Sequence, residues 1–175
     1  MNIILTGYRA SGKTTIGKIL AKKLKRPFLD IDNLIEQQEQ KTIRQIFTKD
    51  GWQKFRQLER TKIKELSKIA NNAIIAIGGG ALMDDENLII TKNAKVILLH
   101  APLKILARRI ASDQHRPPLS DNQSSLAEIT KIWDQRRERY RQLADLTVNT
   151  GAPDPQKAVE KIVEYIKKIS NYSNF

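Results

Sequence analysis

Eight consecutive residues constrain this chain more than any other feature: Gly7-Tyr8-Arg9-Ala10-Ser11-Gly12-Lys13-Thr14 matches G-x-x-x-x-G-K-[ST] in full. The β-rich run Asn2 to Thr6 leads into it, and Ile16, Ile19, Leu20 and Leu24 follow at helical spacing. A strand that stops at a glycine and feeds into a helix turns successive backbone N–H groups inward at the positive end of that helix. The product is a receptor for phosphate. The pattern therefore predicts a nucleotide site in which Gly7, Ala10, Ser11, Gly12 and Thr15 shape the loop. Lys13 reaches the β- and γ-phosphates of ATP, and the Thr14 hydroxyl ligates Mg²⁺.

Apolar runs alternate with helical patterns along the rest of the chain. Phe28 to Ile31, Ala73 to Ile77, Lys95 to Leu99 and Leu146 to Asn149 read as further strands. Helices are expected between them: from about residue 32 to Ala70, from Pro102 through Arg109, over Leu126 to Leu143, and from Pro155 onward. Thr42-Ile43-Arg44-Gln45 fits a capping box, and Asp50-Gly51 reads as a break between two helices. Strands that are continuously apolar suit a parallel sheet covered on both faces. The order predicts a three-layer α/β P-loop fold with five parallel strands and right-handed crossovers. One domain spanning 1–175 is expected, with the polar, aperiodic segment from about 112 to 125 as an exposed loop.

The 175 residues carry a net charge of +12 and no cysteine, so disulfides and thiolate metal sites are excluded. Many lysines fall on helix faces that water would solvate, and the few aromatics do not interleave with them as a base-stacking platform requires. A small anionic ligand is the expected partner, with no nucleic acid and no membrane. No apolar run approaches the ~20 residues that span a bilayer. With no basic leader before its first apolar run, a cytoplasmic location is expected.

A P-loop does not by itself name the phosphate acceptor. The N/T-K-x-D sequence with which GTPases read their base is missing, and the third strand ends in Gly78-Gly79-Gly80 rather than in an acid that would hold Mg²⁺ for a motor ATPase. The nearest acids at a strand end are Asp30 and Asp32. In an extended segment these two face the same way, one toward the Mg²⁺ shell and the other toward an acceptor hydroxyl.

Here the chain resembles the shikimate kinases of aromatic amino-acid biosynthesis. The P-loop continues as Lys13-Thr14-Thr15-Ile16-Gly17, and Pro27-Phe28-Leu29-Asp30-Ile31-Asp32, continued by Ile35-Glu36, is similar to that family's strand ending in D-x-D. Phe47 to Glu59, with Gly51, Phe55-Arg56 and Glu59, is similar to its F-x-x-x-G-E-x-x-F-R-x-x-E segment. Gly78-Gly79-Gly80-Ala81 matches its triple glycine, and Arg116-Pro117 and Arg136 extend the match to about residue 150. The resemblance implies Mg²⁺-ATP-dependent phosphorylation of the shikimate 3-hydroxyl by a monomer, with a substrate-binding helical segment over about 32–60 and a lid over about 112–125. It implies Lys13, Asp32 and Arg116 as catalytic residues, with Asp32 on the acceptor hydroxyl, and Thr14 and Asp30 at the metal. Arg56, Gly78, Gly79, Gly80 and Arg136 would hold shikimate, the two arginines gripping its carboxylate while Glu59 orients Arg56. Arg109 would lie near the adenine and Arg116 over the phosphates.

Some positions depart from that pattern. Trp52 stands where the family has glutamate, Ile77 where many members have threonine, and Arg136-Arg137-Glu138-Arg139-Tyr140 replaces R-x-P-L-Y. Arg137 is thus an alternative to Arg136 as the second carboxylate ligand. Trp52, Trp133 and Tyr140 read as packing residues, and neither His100 nor His115 has a metal-ligand partner at useful spacing. Three alternatives remain at this level: a gluconate-type sugar-acid kinase of the same architecture, a non-catalytic nucleotide-binding relative, and a nucleic-acid-binding protein.

Overall fold

The computed structural model describes residues 1–112 and 126–172. Five strands, β1 (Asn2–Thr6), β2 (Phe28–Asp30), β3 (Ile74–Ala76), β4 (Ala94–His100) and β5 (Leu146–Asn149), form one parallel sheet in the order β2-β3-β1-β4-β5. The helices are α1 (Lys13–Leu24), α2 (Ile31–Glu39), α3 (Ile43–Ile69), α4 (Leu103–Ala111), α5 (Leu126–Leu143) and α6 (Gln156–Tyr172). Two 3₁₀ segments, Ala81–Met83 and Asp85–Thr91, connect β3 to β4.

The continuous apolar character of the strands is explained by which side each residue serves. Ile4 and Ile75 point into a cluster with Ile31, Ile35, Ile46, Phe55 and Ile63 from α2 and α3. Their neighbours Ile3, Leu5 and Ile74 point the other way, into a cluster with Ile16 and Leu20 of α1 and Val159, Ile162 and Ile166 of α6. With period-two alternation and helices on both faces, every position of β1 from Ile3 to Thr6 is buried. A third cluster joins Tyr8 to Ala101, Leu106, Ile110 and Ile129, which anchors α4 and α5 beside the P-loop.

Local signals set the element boundaries. Thr42 caps α3 reciprocally with Gln45: the Gln45 N–H donates to Thr42 Oγ1 at 3.1 Å, and the Thr42 N–H donates to Gln45 Oε1 at 2.8 Å. At Gly51 (φ 81°, ψ 172°) the backbone leaves helical geometry, but α3 resumes at once. The expected break is therefore a kink inside one 27-residue element. The 3₁₀ segments between Ala81 and Thr91 carry no periodic pattern that would announce them.

In a parallel sheet all strands end on the same edge. Here β1 runs out at Gly7, β2 at Asp30 and β3 at Ile77-Gly78, and this shared carboxyl edge is where doubly wound folds bind ligands.

Candidate active site

The P-loop wraps a tight turn. Gly7 (φ 141°) lies so close to β4 that a Cβ would strike the Leu99 carbonyl oxygen, and Ala10 (φ 61°) and Gly12 (φ 95°) carry the loop into α1. Lys13 Nζ donates to the carbonyl oxygens of Gly7 at 2.9 Å and Tyr8 at 3.0 Å, which holds the ammonium over the loop. Ser11 is fully buried, and its carbonyl accepts the Thr150 hydroxyl at 2.8 Å. Thr14 Oγ1 donates to Asp30 Oδ2 at 2.7 Å, so the two residues expected at the metal touch each other. Among the described residues no group of three His, Asp or Glu side chains is placed to hold a metal ion by itself. A hydroxyl, one carboxylate, phosphate oxygens and water are the set suited to Mg²⁺, which keeps part of its hydration shell.

Asp30 and Asp32 do meet one cleft, of about 850 Å³, together with Lys13, Thr14, Thr15 and Arg109. The expected route to that meeting is corrected, however. The extended run ends at Asp30, which caps α2 by accepting the Asp32 N–H at 3.2 Å, so Asp32 is a first-turn helical residue. Helical winding, not strand alternation, brings the second carboxylate round. Asp32 also reaches the next group of residues: a Cβ on Gly78 would lie 3.9 Å from Asp32 Oδ1 and would collide with Glu59 Oε1.

That group is built on α3. Arg56 donates from Nη1 to Glu59 Oε2 one turn along the helix. Glu59 is fully buried, and burial raises its pKa, with the Arg56 charge opposing the rise. Arg60 turns away to Asp84 (2.7 Å), so Arg56 and Glu59 form an inward pair rather than part of a surface ladder. The triple glycine serves this packing: a Cβ would meet Glu59 at Gly78, the Gly7 carbonyl and the Tyr140 hydroxyl at Gly79, and the Arg56 guanidinium at Gly80. The missing Cβ space is thus taken up by protein groups.

Arg136 and Arg137 separate cleanly. Arg137 is exposed and pairs with Asp134 at 3.4 Å. Arg136 acts on the inside, where its charge favours the ionised forms of Tyr140, Tyr8 and Glu59. Tyr140 is fully buried; its hydroxyl donates to the Gly79 carbonyl, and burial pushes the phenol up to about 12. Tyr140 therefore couples α5 to the glycine run, which the sequence presented only as packing. Arg139 also ties α5 to both 3₁₀ segments, to the first through the Leu82 carbonyl at 3.3 Å and to the second through Asp85.

Arg109 donates to the carbonyl oxygens of Ala10 at 3.3 Å and Thr150 at 2.9 Å, at the far end of the cleft beside Ala152 to Pro155. Thr150, unremarked in the sequence, joins the P-loop to the end of β5. Trp133 stacks on His100 (4.7 Å between ring centroids), in keeping with a packing role. Trp52 packs on Phe47 and Phe55 as expected, yet stays 42% exposed. Arg116, His115 and all but the first residue of the lid expected over about 112–125 lie outside the described residues.

Comparison with known proteins finds relatives over nearly the whole chain. Residues 9–167 match the family described as shikimate kinase. The shikimate kinase of Syntrophus aciditrophicus is 38% identical over 174 residues, which cover 93% of this chain and 89% of that protein. The solved shikimate kinase from Acinetobacter baumannii in complex with shikimate superposes with a TM-score of 0.88 at 32% identity, covering 97% of this chain and 93% of that one. A gluconokinase from Sinorhizobium meliloti superposes with a TM-score of 0.58 at 16% identity, covering 99% and 95%; that likeness extends to the fold alone.

Proposed function

The chain belongs to the shikimate kinase family, and on that footing we propose how its own residues transfer the γ-phosphoryl group of ATP to the 3-hydroxyl of shikimate. Lys13 leaves the Gly7 and Tyr8 carbonyls to bind the β- and γ-phosphates, while the P-loop N–H groups hold the β-phosphate. Thr14 and Asp30, which touch each other, would hold Mg²⁺. Mg²⁺, when bound, neutralises charge on the phosphate oxygens. Asp32 accepts the acceptor hydroxyl and aims its oxygen in line with the γ-phosphorus. Because little bond-making has occurred in a loose transition state, aiming contributes more than proton removal.

Arg56 and Arg136 grip the acceptor's carboxylate, work suited to forked guanidinium donors, while Glu59 fixes Arg56. Gly78, Gly79 and Gly80 form the floor between these arginines and Asp32, and Arg109 borders the adenine end. Arg116 is the further arginine assigned to the phosphates. The polypeptide works as one domain and as a monomer, and no helix among the described residues is long and apolar enough to cross a membrane.

The observation that carries this reading is the shared position of Asp32, which borders both the cleft holding Lys13, Thr14 and Asp30 and the Gly78–Glu59 contact that leads to Arg56. The test is ADP release from Mg²⁺-ATP with shikimate, with gluconate and with no acceptor, in the parent and in Asp32→Asn. Turnover should require shikimate and fall by ~10²–10⁴-fold in the variant. Turnover with gluconate alone would replace the acceptor, and an Asp32→Asn enzyme as fast as the parent would remove Asp32 from the mechanism.

A further inference from the structure

Resting on the reading of Arg56 as a carboxylate ligand, we propose that Trp52 is a positioning residue that fixes the Arg56 guanidinium by laying its indole face against it. The Arg56 Cζ lies 4.5 Å from the Trp52 ring centroid, against 5.7 Å from that of Phe55. Glu59 holds the same guanidinium through Nη1. An ion pair at one nitrogen leaves the planar group free to swing about that contact. A ring face closes this freedom and sets the plane in which the remaining N–H donors point.

The indole is itself held. It stacks on Phe47 at 4.3 Å and 29° and lies 5.9 Å from Phe55, which packs on Phe47 at 4.9 Å. The kink at Gly51 sets the start of this turn, so that Trp52 lies back against Phe47 and one turn before Arg56. Trp52 nevertheless stays 42% exposed while Phe55 is 2% exposed. A residue placed for core packing alone would not leave an indole so open. The same ring shields one side of Arg56, and a guanidinium with less water around it attracts a carboxylate more strongly.

The full-length enzyme tests this by steady-state kinetics of Trp52→Leu and Trp52→Phe. Leucine keeps apolar bulk and loses the π face; it should raise KM for shikimate about 3- to 30-fold, the span of a cation–π contact. KM for ATP and kcat should move by less than about twofold, and phenylalanine should recover most of the loss. A second measurement serves if the leucine variant does not fold. The chain has two tryptophans, so Trp133→Phe leaves Trp52 as sole indole, and its emission should change saturably as shikimate is added. An unchanged shikimate KM in Trp52→Leu, an equal rise in the ATP KM, or flat emission in a Trp133→Phe enzyme that turns over shikimate would each overturn the proposal. A parent enzyme inactive with shikimate would instead overturn the reading beneath it, and the proposal with it.

Discussion

Among single residues, Tyr140 gathers more of the site than its sequence position suggests. Its phenol is buried between Arg136, Tyr8 and the Gly79 carbonyl, and burial raises its pKa from 10.0 to about 12. Tyr140→Phe keeps the ring and leaves the Gly79 carbonyl without this donor, a loss of about 1–3 kcal/mol at neutral pH. The folded protein holds the phenolic proton more tightly than the unfolded chain does. The associated stability is therefore complete below pH 10 and disappears as pH climbs toward 12. That loss is on the order of 2–3 kcal/mol and belongs to the parent alone, so the stability curves of parent and Tyr140→Phe should converge over this interval. Denaturant unfolding at a series of alkaline pH values checks it. A constant gap between the two proteins would show that the phenol does not titrate with the fold.

At the scale of elements, α3 carries Arg56 and Glu59, proposed for the acceptor side, and its kink is the place to test that assignment. Gly51 has φ 81° and ψ 172°, a region open essentially to glycine, yet a Cβ there would meet nothing within 4 Å. Gly51→Ala therefore acts through the backbone alone. It costs about 1–3 kcal/mol, roughly 2–10 °C in Tm for a chain of this size, or else straightens the helix. Either response disturbs the turn that carries Trp52 and Arg56, so KM for shikimate should rise while KM for ATP holds. An alanine variant as stable as the parent and unchanged in KM would mean the kink has no part in the site. The elements themselves were largely legible: the five apolar runs became five strands, Thr42 to Gln45 became a capping box, and Gly7 to Thr14 became the P-loop. What escaped the sequence lies where no local pattern exists. The carboxylate pair was found but its geometry was misread, because a D-x-D ending a strand looks extended until Asp30 is seen to cap α2. Thr150 meets Ser11 across 139 residues of chain, and such a contact leaves no periodic trace. Trp52 was assigned to packing, since nothing in one sequence tells a buried indole from one laid open over an arginine.

Across the whole molecule, the two half-sites are carried by different parts of the fold. The nucleotide is assigned to the P-loop, α1 and the Arg109–Thr150 contact, whereas the acceptor's carboxylate is assigned to α3 and α5; the two meet at Asp32 and Gly78. Each ligand should therefore stabilise the protein through its own half. At about 100 times its Kd, a ligand that binds only the folded state contributes ~2.7 kcal/mol, or roughly 5–10 °C in Tm here. Lys13→Ala should lose most of the shift given by Mg²⁺-ATP and keep the shift given by shikimate. Arg56→Lys preserves a charge for Glu59 but loses the forked donors, and should show the reverse. Thermal melts of the three proteins with each ligand alone check the prediction. If either variant lost both shifts, the halves would be one cooperative site; if both variants kept both, the residue assignments would fail. The same separation predicts slow ATP hydrolysis without acceptor, since with only the nucleotide half filled no acceptor oxygen is held in line with the γ-phosphorus. ADP release from Mg²⁺-ATP alone as fast as with shikimate would overturn it.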